Sequence, residues 1–140
     1  GNYDDGEGEL ADAATAMDWL QSQNPNASFC WVAGFSFGSG IGMQLMMRRP
    51  EIKGFISLSA PTLTRDFSFL APCPSSGLFI HGSENETVPT HSLFRVIEKI
   101  SIQKGAVIED KIISGADHFF NEHHEEMMNA VKEYLDEYLK

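Results

Sequence analysis

The chain has 140 residues, of which 42% are hydrophobic, and this composition predicts one soluble globular domain over residues 1–140. The formal net charge is −10, from 20 acidic and 10 basic residues. Most of the surface would therefore repel a phosphate backbone, which argues against a nucleic-acid-binding protein. The apolar runs are far shorter than the about 20 residues that cross a bilayer, so we expect no membrane span.

The chain start and the cysteines indicate the compartment. Residues 1–5 contain neither a basic stretch nor an apolar core, so we expect no signal or transit peptide and a cytoplasmic location. Cys30 and Cys73 form no CxxC pair. Because Cys30 lies within an apolar run, we expect a buried, inert thiol there and neither a disulfide framework nor a zinc site.

Apolar spacing and turn residues predict alternating helices and strands along the chain. The first helix carries Leu10, Met17 and Leu20 at helical spacing and ends at Asn24 and Pro25. The spacing predicts helices over 9–23, 38–49, 89–100 and 122–139, strands over 28–33, 54–59, 77–81 and 106–113, and a proline-containing loop over 61–76.

This alternation predicts an α/β domain with a parallel sheet, covered on both faces by helices that right-handed crossovers position. The strand over 28–33 is apolar and rich in aromatic and β-branched residues, so we expect it to be buried on both faces and to end at Gly34. Trp19, Trp31 and most phenylalanines fall at helix or strand spacing, which predicts core positions.

A GxSxG motif, Gly34-Phe35-Ser36-Phe37-Gly38, lies between the first predicted strand and the second predicted helix. This is the context of a nucleophile elbow, a tight turn whose small flanking residues lift a serine hydroxyl above the carboxyl end of the sheet. We therefore expect Ser36 to be a nucleophile. The backbone N–H of Phe37 would face a developing oxyanion at the helix N-terminus.

Two other uses of these residue types are less favoured. A GxGxxG pattern that starts at Gly38 or Gly40 lacks its third glycine, and no Walker lysine follows, so we expect no nucleotide and no other cofactor. The segment 123–126, His-His-Glu-Glu, contains metal-ligand types but no HExxH spacing. We interpret it as a solvated helix start and expect no metal.

A serine hydroxyl needs a base, and His118 is the candidate. It follows the strand predicted over 106–113 and precedes the last helix, at the edge of an α/β sheet where loops carry function. Its place after Ser36 agrees with the chain order of α/β hydrolases, in which the histidine comes last.

Taken together, these segments resemble the C-terminal part of a small bacterial α/β hydrolase of the dienelactone-hydrolase-like type. The matching segments are YDDGEGE over 3–9, the helix end Asp18-Trp19-Leu20, the elbow from Ala33 to Gly38, Asp66-Phe67-Ser68, the turn from His81 to Pro89, and Gly115 to Phe120. The resemblance implies a serine hydrolase that cleaves an ester or similar acyl bond of a small molecule, with Ser36 as nucleophile and His118 as base.

The first departure from this family concerns the third member of the triad. The family has aspartate where Asn85 stands. An amide can accept a hydrogen bond from imidazole, but it carries no charge to stabilise an imidazolium and it can select the wrong tautomer. Glu84, Glu86 or Asp66 could replace it as the acid, although a solvated loop charge is the favoured interpretation of the two glutamates.

The second departure is that the family's earlier strands do not occur in this sequence. A loop after one of those strands supplies the second oxyanion donor, and losing one such donor costs about 10²- to 10³-fold in rate. The strand over 28–33 would also have an unpaired edge. We therefore expect either a further N-terminal segment or a partner, such as a second copy in a homo-oligomer, to complete the sheet.

Four phenylalanines flank the predicted site and allow two interpretations: Phe35, Phe37, Phe119 and Phe120. They would either form the wall of an apolar acyl pocket or pack in the core. The departures keep an alternative function open, in which the protein has the hydrolase scaffold but is catalytically weak or inactive and serves a binding or structural role.

Overall fold

Strands and helices alternate along the chain in the computed structural model, which describes residues 2–70, 72–101 and 106–139. The rest of the predicted domain, residues 1, 71, 102–105 and 140, lies outside the described residues. The elements are α1 (Glu7–Gln23), β1 (Cys30–Phe35), α2 (Phe37–Arg48), β2 (Ile52–Leu58), a 3-10 turn (Ser68–Leu70), β3 (Ser76–Gly82), α3 (Thr90–Ser101), β4 (Ile108–Ile113) and α4 (His124–Tyr138).

The strands form one parallel sheet in the order β1-β2-β3-β4. Neighbours in this sheet are also neighbours in the chain, so each crossover moves one strand further across. Because parallel strands all end at the same edge, the residues after β1, β2, β3 and β4 meet there. That edge carries the candidate site.

Apolar side chains cover both faces of the sheet, which confirms the predicted parallel sheet with helices on both faces. Alternate residues of a strand point to opposite faces. On one face Phe55 and Phe79 contact each other edge to face, with ring centroids 5.3 Å apart, beneath α1, α2 and α3. On the other face Ile56, Leu78 and Ile80 pack against α4.

The prediction that the first strand is buried on both faces was wrong. Trp31 and Val32 are half-buried and Ala33 is exposed, because among the described residues β1 pairs with β2 alone. Gly34 does not end this strand either, since it pairs with Ser57 in register. The predicted burial of Cys30 is likewise incomplete, because Cys30 is half-buried at the start of this edge strand.

The predicted core position of Trp19 was also wrong, because its side chain is 64% exposed. Helix α1 packs on α2 through Leu10 and Met17, and Trp19 lies outside that stripe. Leu20, expected in the same apolar stripe, is exposed too.

Within the described part of the chain, no helix is both long and apolar enough to cross a membrane.

The Phe55–Phe79 contact predicts the cost of a core truncation. Phe79 is fully buried, so Phe79→Ala leaves a cavity and should lower the free energy of unfolding by about 3–5 kcal/mol in urea titration. Phe94→Ala is the matched control, because Phe94 is 42% exposed on α3, and it should cost less than about 1 kcal/mol. Equal losses in the two variants would contradict this placement of the core.

Candidate active site

Ser36 occupies a tight turn between β1 and α2. Its backbone has φ 53° and ψ −119°, a conformation with positive φ that a residue other than glycine rarely adopts. The Ser36 N–H donates to the carbonyl of Leu58 at 2.8 Å, and the Ser36 carbonyl accepts from Ser39 N–H at 2.9 Å. A Cβ atom at Gly34 would collide with the carbonyl of Gly38, so the turn requires a glycine there.

The loops that follow β3 and β4 are joined backbone to backbone. Ser83 N–H donates to Ile113 O at 3.0 Å, and Glu84 N–H donates to Ala116 O at 2.9 Å. A Cβ atom at Gly82 would collide with the carbonyl of Ala116, so the two loops touch at this point. This contact brings the residues that follow Gly82 next to the residues that follow Ala116.

Ser36 and His118 meet at the edge of the sheet although 82 residues separate them in the chain. The distance from Ser36 Oγ to His118 Nε2 is 2.9 Å. The His118 side chain is buried, and its backbone carbonyl accepts a 2.7 Å hydrogen bond from Ser59 Oγ. Ser59 thus fixes the backbone of His118, whose imidazole lies within hydrogen-bond reach of the serine hydroxyl.

Asn85 lies on the opposite side of the imidazole. Its Nδ2 is 2.9 Å from His118 Nδ1, and its side chain is buried, with 7% exposed. Its Oδ1 accepts hydrogen bonds from the backbone N–H groups of Thr87 at 3.0 Å and Val88 at 2.9 Å. The amide oxygen therefore holds the loop, while the amide nitrogen faces the histidine.

The other three candidates for the triad acid lie elsewhere. Glu84 and Glu86 are exposed on either side of Asn85, as a solvated loop charge would be. Asp66 is exposed as well, and its Oδ1 accepts a 2.8 Å hydrogen bond from Ser68 N–H, which lowers the pKa of Asp66. Of the four candidates, Asn85 is the residue that the structure brings to His118.

Burial controls the charge state of the site. Desolvation lowers the pKa of His118, and the neighbouring Asp117 carboxylate opposes this shift weakly. Asp117 itself accepts hydrogen bonds from the N–H groups of Phe119 and Asn121, which lowers its pKa and fixes the loop after His118. Burial also lowers the pKa of His81, whose Nε2–H donates to Val88 O at 2.7 Å. Burial thus favours the neutral form of both imidazoles.

Aromatic rings surround the histidine on its exposed side. The ring of His118 lies 5.6 Å from Phe35 and 5.1 Å from Phe119, and both phenylalanines are substantially exposed. The Phe37 ring instead packs against Tyr3 and under the Arg65 guanidinium. Since Phe120 is buried against α4, these phenylalanines have different roles: Phe35 and Phe119 line the site, and Phe120 packs in the core.

The described residues contain no group of three or more His, Cys, Asp or Glu side chains that could hold a metal ion. In the His-His-Glu-Glu segment, α4 begins at His124, and His123 Nδ1 lies 3.2 Å from Glu126 Oε1. This segment therefore forms the first turn of a helix.

Sequence reasoning missed two supporting residues. Ser59, at the carboxyl end of β2, has φ 49° and donates to the carbonyl of His118. His81, at the end of β3, holds Val88 and hence the turn that contains Asn85. Both are polar residues at the ends of apolar strands, and this pattern could have marked them.

The comparisons with known proteins concern the fold of this chain. The chain matches no protein-family model. An uncharacterized protein of Rickettsia prowazekii (strain Madrid E) is 46% identical over an alignment 139 residues long, which covers 96% of this chain and 58% of that protein. A solved structure of a protein of unknown function from Agrobacterium tumefaciens, a candidate α/β hydrolase, is 52% identical with a TM-score of 0.96 and covers 99% of this chain and 64% of that one.

A second solved structure, an α-β serine hydrolase homologue from Coxiella burnetii, is 27% identical with a TM-score of 0.86. This match covers 96% of the present chain and 62% of the Coxiella burnetii chain. The chain thus spans about three fifths of the length of these relatives. Its parallel sheet with helices on both faces has the α/β-hydrolase fold, truncated relative to the full chains of the solved structures.

The turn that holds Ser36 predicts different outcomes for two glycine substitutions. Gly34→Ala should destabilise the protein by about 1–3 kcal/mol, because its Cβ meets the backbone of Gly38. Gly40→Ala is the control, because a Cβ atom there meets nothing within 4 Å. Alanine in place of glycine in a helix should raise the free energy of unfolding by about 0.5–1 kcal/mol. Urea denaturation measures both values, and a neutral Gly34→Ala would contradict the tight turn.

Proposed function

We propose that this protein is a serine hydrolase that cleaves an ester or similar acyl bond of a small molecule, with Ser36 as nucleophile and His118 as base. The observation that carries this proposal is the 2.9 Å contact between Ser36 Oγ and His118 Nε2 in a strained strand-to-helix turn. The Coxiella burnetii structure, a serine hydrolase homologue, supports the same class.

The proposed reaction has two halves. In the first, the Ser36 Oγ–H proton passes to Nε2 of a His118 that carries its own proton on Nδ1, and Oγ bonds to the acyl carbon. The carbonyl electron pair moves onto oxygen, where the Phe37 N–H, in the first turn of α2, donates to it. His118 then gives the proton to the leaving alcohol as the C–O bond breaks. In the second half, water repeats these steps on the acyl-serine and regenerates Ser36.

Two features predict slow turnover. Asn85 offers no negative charge to the imidazolium that forms on His118, and in a serine protease this Asp-to-Asn change lowers turnover by about 10⁴-fold. Phe37 is the single oxyanion donor that we assign within the described residues, whereas a complete oxyanion hole has two.

The exposed rings of Phe35 and Phe119 favour an apolar acyl group at the site. The narrower dienelactone-hydrolase-like type stays a prediction.

A second candidate function is a hydrolase-fold protein with a binding or structural role and little catalysis. The amide of Asn85 at His118 favours it, because the charge that a triad needs is missing from this position. In either case we propose that β1, which pairs with β2 alone among the described residues, pairs on its other side with a preceding segment or with a second copy.

The proposed nucleophile is tested by fluorophosphonate labelling and by hydrolysis of 4-nitrophenyl acetate. Removing the serine from a complete triad lowers turnover by about 10⁶-fold, and replacing the triad aspartate by asparagine alone lowers it by about 10⁴-fold. Because Asn85 already imposes the second loss, Ser36→Ala should lower kcat by the remaining factor of about 100 and should abolish labelling. Ser101→Ala, an exposed serine at the end of α3, is the matched control and should change neither. Labelling that persists in Ser36→Ala would remove the serine proposal, and wild-type protein that neither labels nor hydrolyses would favour the binding role.

The buried histidine predicts the pH profile. The base step needs neutral imidazole, and burial lowers the pKa of His118 below its ordinary value of 6.5. The acid limb of kcat/KM should therefore have its midpoint below pH 6.5, with hydrolysis lost only as pH falls through that lowered value. A pH series with 4-nitrophenyl acetate measures this, and a midpoint above 6.5 would contradict the assignment of His118 as the base.

A further inference from the structure

We infer that Asn85 holds the resting imidazole of His118 in the tautomer with its proton on Nε2, which points this proton at Ser36. The contact of Asn85 with His118 is known from a distance alone, and which group donates must come from the rest of the network. Asn85 is in this view a positioning residue that sets the protonation of His118 without touching the reacting atoms.

The orientation of the amide follows from two backbone donors. Thr87 N–H and Val88 N–H both point at one terminal atom of the Asn85 side chain, at 3.0 and 2.9 Å. An N–H group needs an acceptor, and of the two terminal atoms of an amide only the oxygen accepts. Rotating the amide by 180° would place its NH₂ against two N–H donors and leave a buried N–H of Val88 unpaired. The oxygen is therefore fixed on the loop and the NH₂ group on His118.

The tautomer of His118 then follows. The Asn85 NH₂ group donates across 2.9 Å to Nδ1, so Nδ1 must present its lone pair and carries no proton. A neutral imidazole has one proton, which is consequently on Nε2, where it donates to Ser36 Oγ at 2.9 Å. In this state Nε2 has no lone pair for the proton of Ser36.

This protonation opposes the base step on which the proposed function rests. Catalysis would proceed through the minor Nδ1–H tautomer, in which an N–H group and an NH₂ group face each other across 2.9 Å. The imidazolium formed after proton transfer has the same conflict at Nδ1. An aspartate at position 85 would remove it, because one carboxylate oxygen would keep both backbone bonds and the other would accept from Nδ1–H.

The tautomer is read directly by ¹⁵N NMR on the wild-type protein labelled at its histidines, at about pH 8, where histidines of ordinary pKa are neutral. Correlations from the ring nitrogens to the ring C–H protons distinguish a protonated from an unprotonated nitrogen. A His118→Gln variant identifies the signals of His118 among those of the 5 histidines. We expect a protonated Nε2 and an unprotonated Nδ1, and a protonated Nδ1 in the wild type would overturn the inference.

Asn85→Asp is the reciprocal experiment. It should move the proton to Nδ1 and, if the hydrolase proposal holds, raise kcat for 4-nitrophenyl acetate by up to about 10⁴-fold with KM little changed. Asn26→Asp adds the same charge at an exposed site outside the network and should change neither tautomer nor rate. A tautomer that stays on Nε2 in Asn85→Asp would also overturn the inference.

The pH profile adds a third measurement. The charged and titratable groups near the imidazole are Asp117, beside it in the chain, and His81, on β3. Neither changes in Asn85→Asp, so the new carboxylate alone should raise the pKa of His118 and move the acid limb of kcat/KM to higher pH. An acid limb that does not move would contradict a carboxylate at Nδ1.

The tautomer and the hydrolase activity can fail separately. If Asn85→Asp moves the proton and no hydrolysis appears in either protein, the tautomer inference stands and the hydrolase proposal fails. If the wild type hydrolyses with Nδ1 already protonated, the hydrolase proposal stands and the tautomer inference fails. If Asn85→Asp does not fold, the wild-type spectrum alone decides.

Discussion

The backbone contact between Gly82 and Ala116 is the constraint on which the candidate site depends. β3 and β4 are parallel, so their loops leave the sheet at the same edge, and the missing side chain of Gly82 lets the two loops touch. Asn85 lies three residues beyond this contact on one loop, and His118 two residues beyond it on the other. The contact thus brings the two loops close enough for the 2.9 Å approach of these two side chains.

The strain at the edge is offset by hydrogen bonds to the sheet itself. Ser36 and Ser59 both have positive φ, a conformation that costs about 1–3 kcal/mol at a residue other than glycine. Each donates its N–H to the carbonyl of the neighbouring strand, Ser36 to Leu58 and Ser59 to Ile80. These bonds continue the hydrogen-bond ladder of the sheet one residue beyond the end of β1 and of β2. The hydroxyl of Ser59 donates to the carbonyl of His118, so the residue with positive φ after β2 helps to position the histidine that faces Ser36.

The sequence predicts most of the fold, and it predicts that Ser36 and His118 face each other, because both predictions follow from local signals. Among the described residues, apolar spacing and turn residues located the four α-helices and the four strands but not the 3-10 turn, and the GxSxG motif located the turn at Ser36. Burial was harder to predict, because it depends on neighbours that are distant in the chain. Trp31 has the composition of a core residue, yet it is half-buried because β1 has β2 as its one strand neighbour among the described residues. Trp19 has helical spacing but lies outside the stripe that α2 covers.

The sequence alone does not decide which residue contacts His118, because that depends on the conformation of the loop. The candidates were Asn85, Glu84, Glu86 and Asp66. A reason for the outcome lies in the turn itself. Asn85 Oδ1 closes an Asx turn on Thr87 and Val88, a geometry that asparagine and aspartate share and that the longer glutamate side chain does not reproduce.

The same fact separates stability from chemistry at this position. The turn needs one side-chain oxygen at position 85. The second terminal atom of that side chain can be nitrogen or oxygen, because the two are similar in size. The fold therefore places no constraint on the atom that faces His118, while the direction of the hydrogen bond at Nδ1, and with it the location of the imidazole proton, depends on that atom alone. A chain can in this way keep the architecture of a hydrolase site intact and still change what its histidine does.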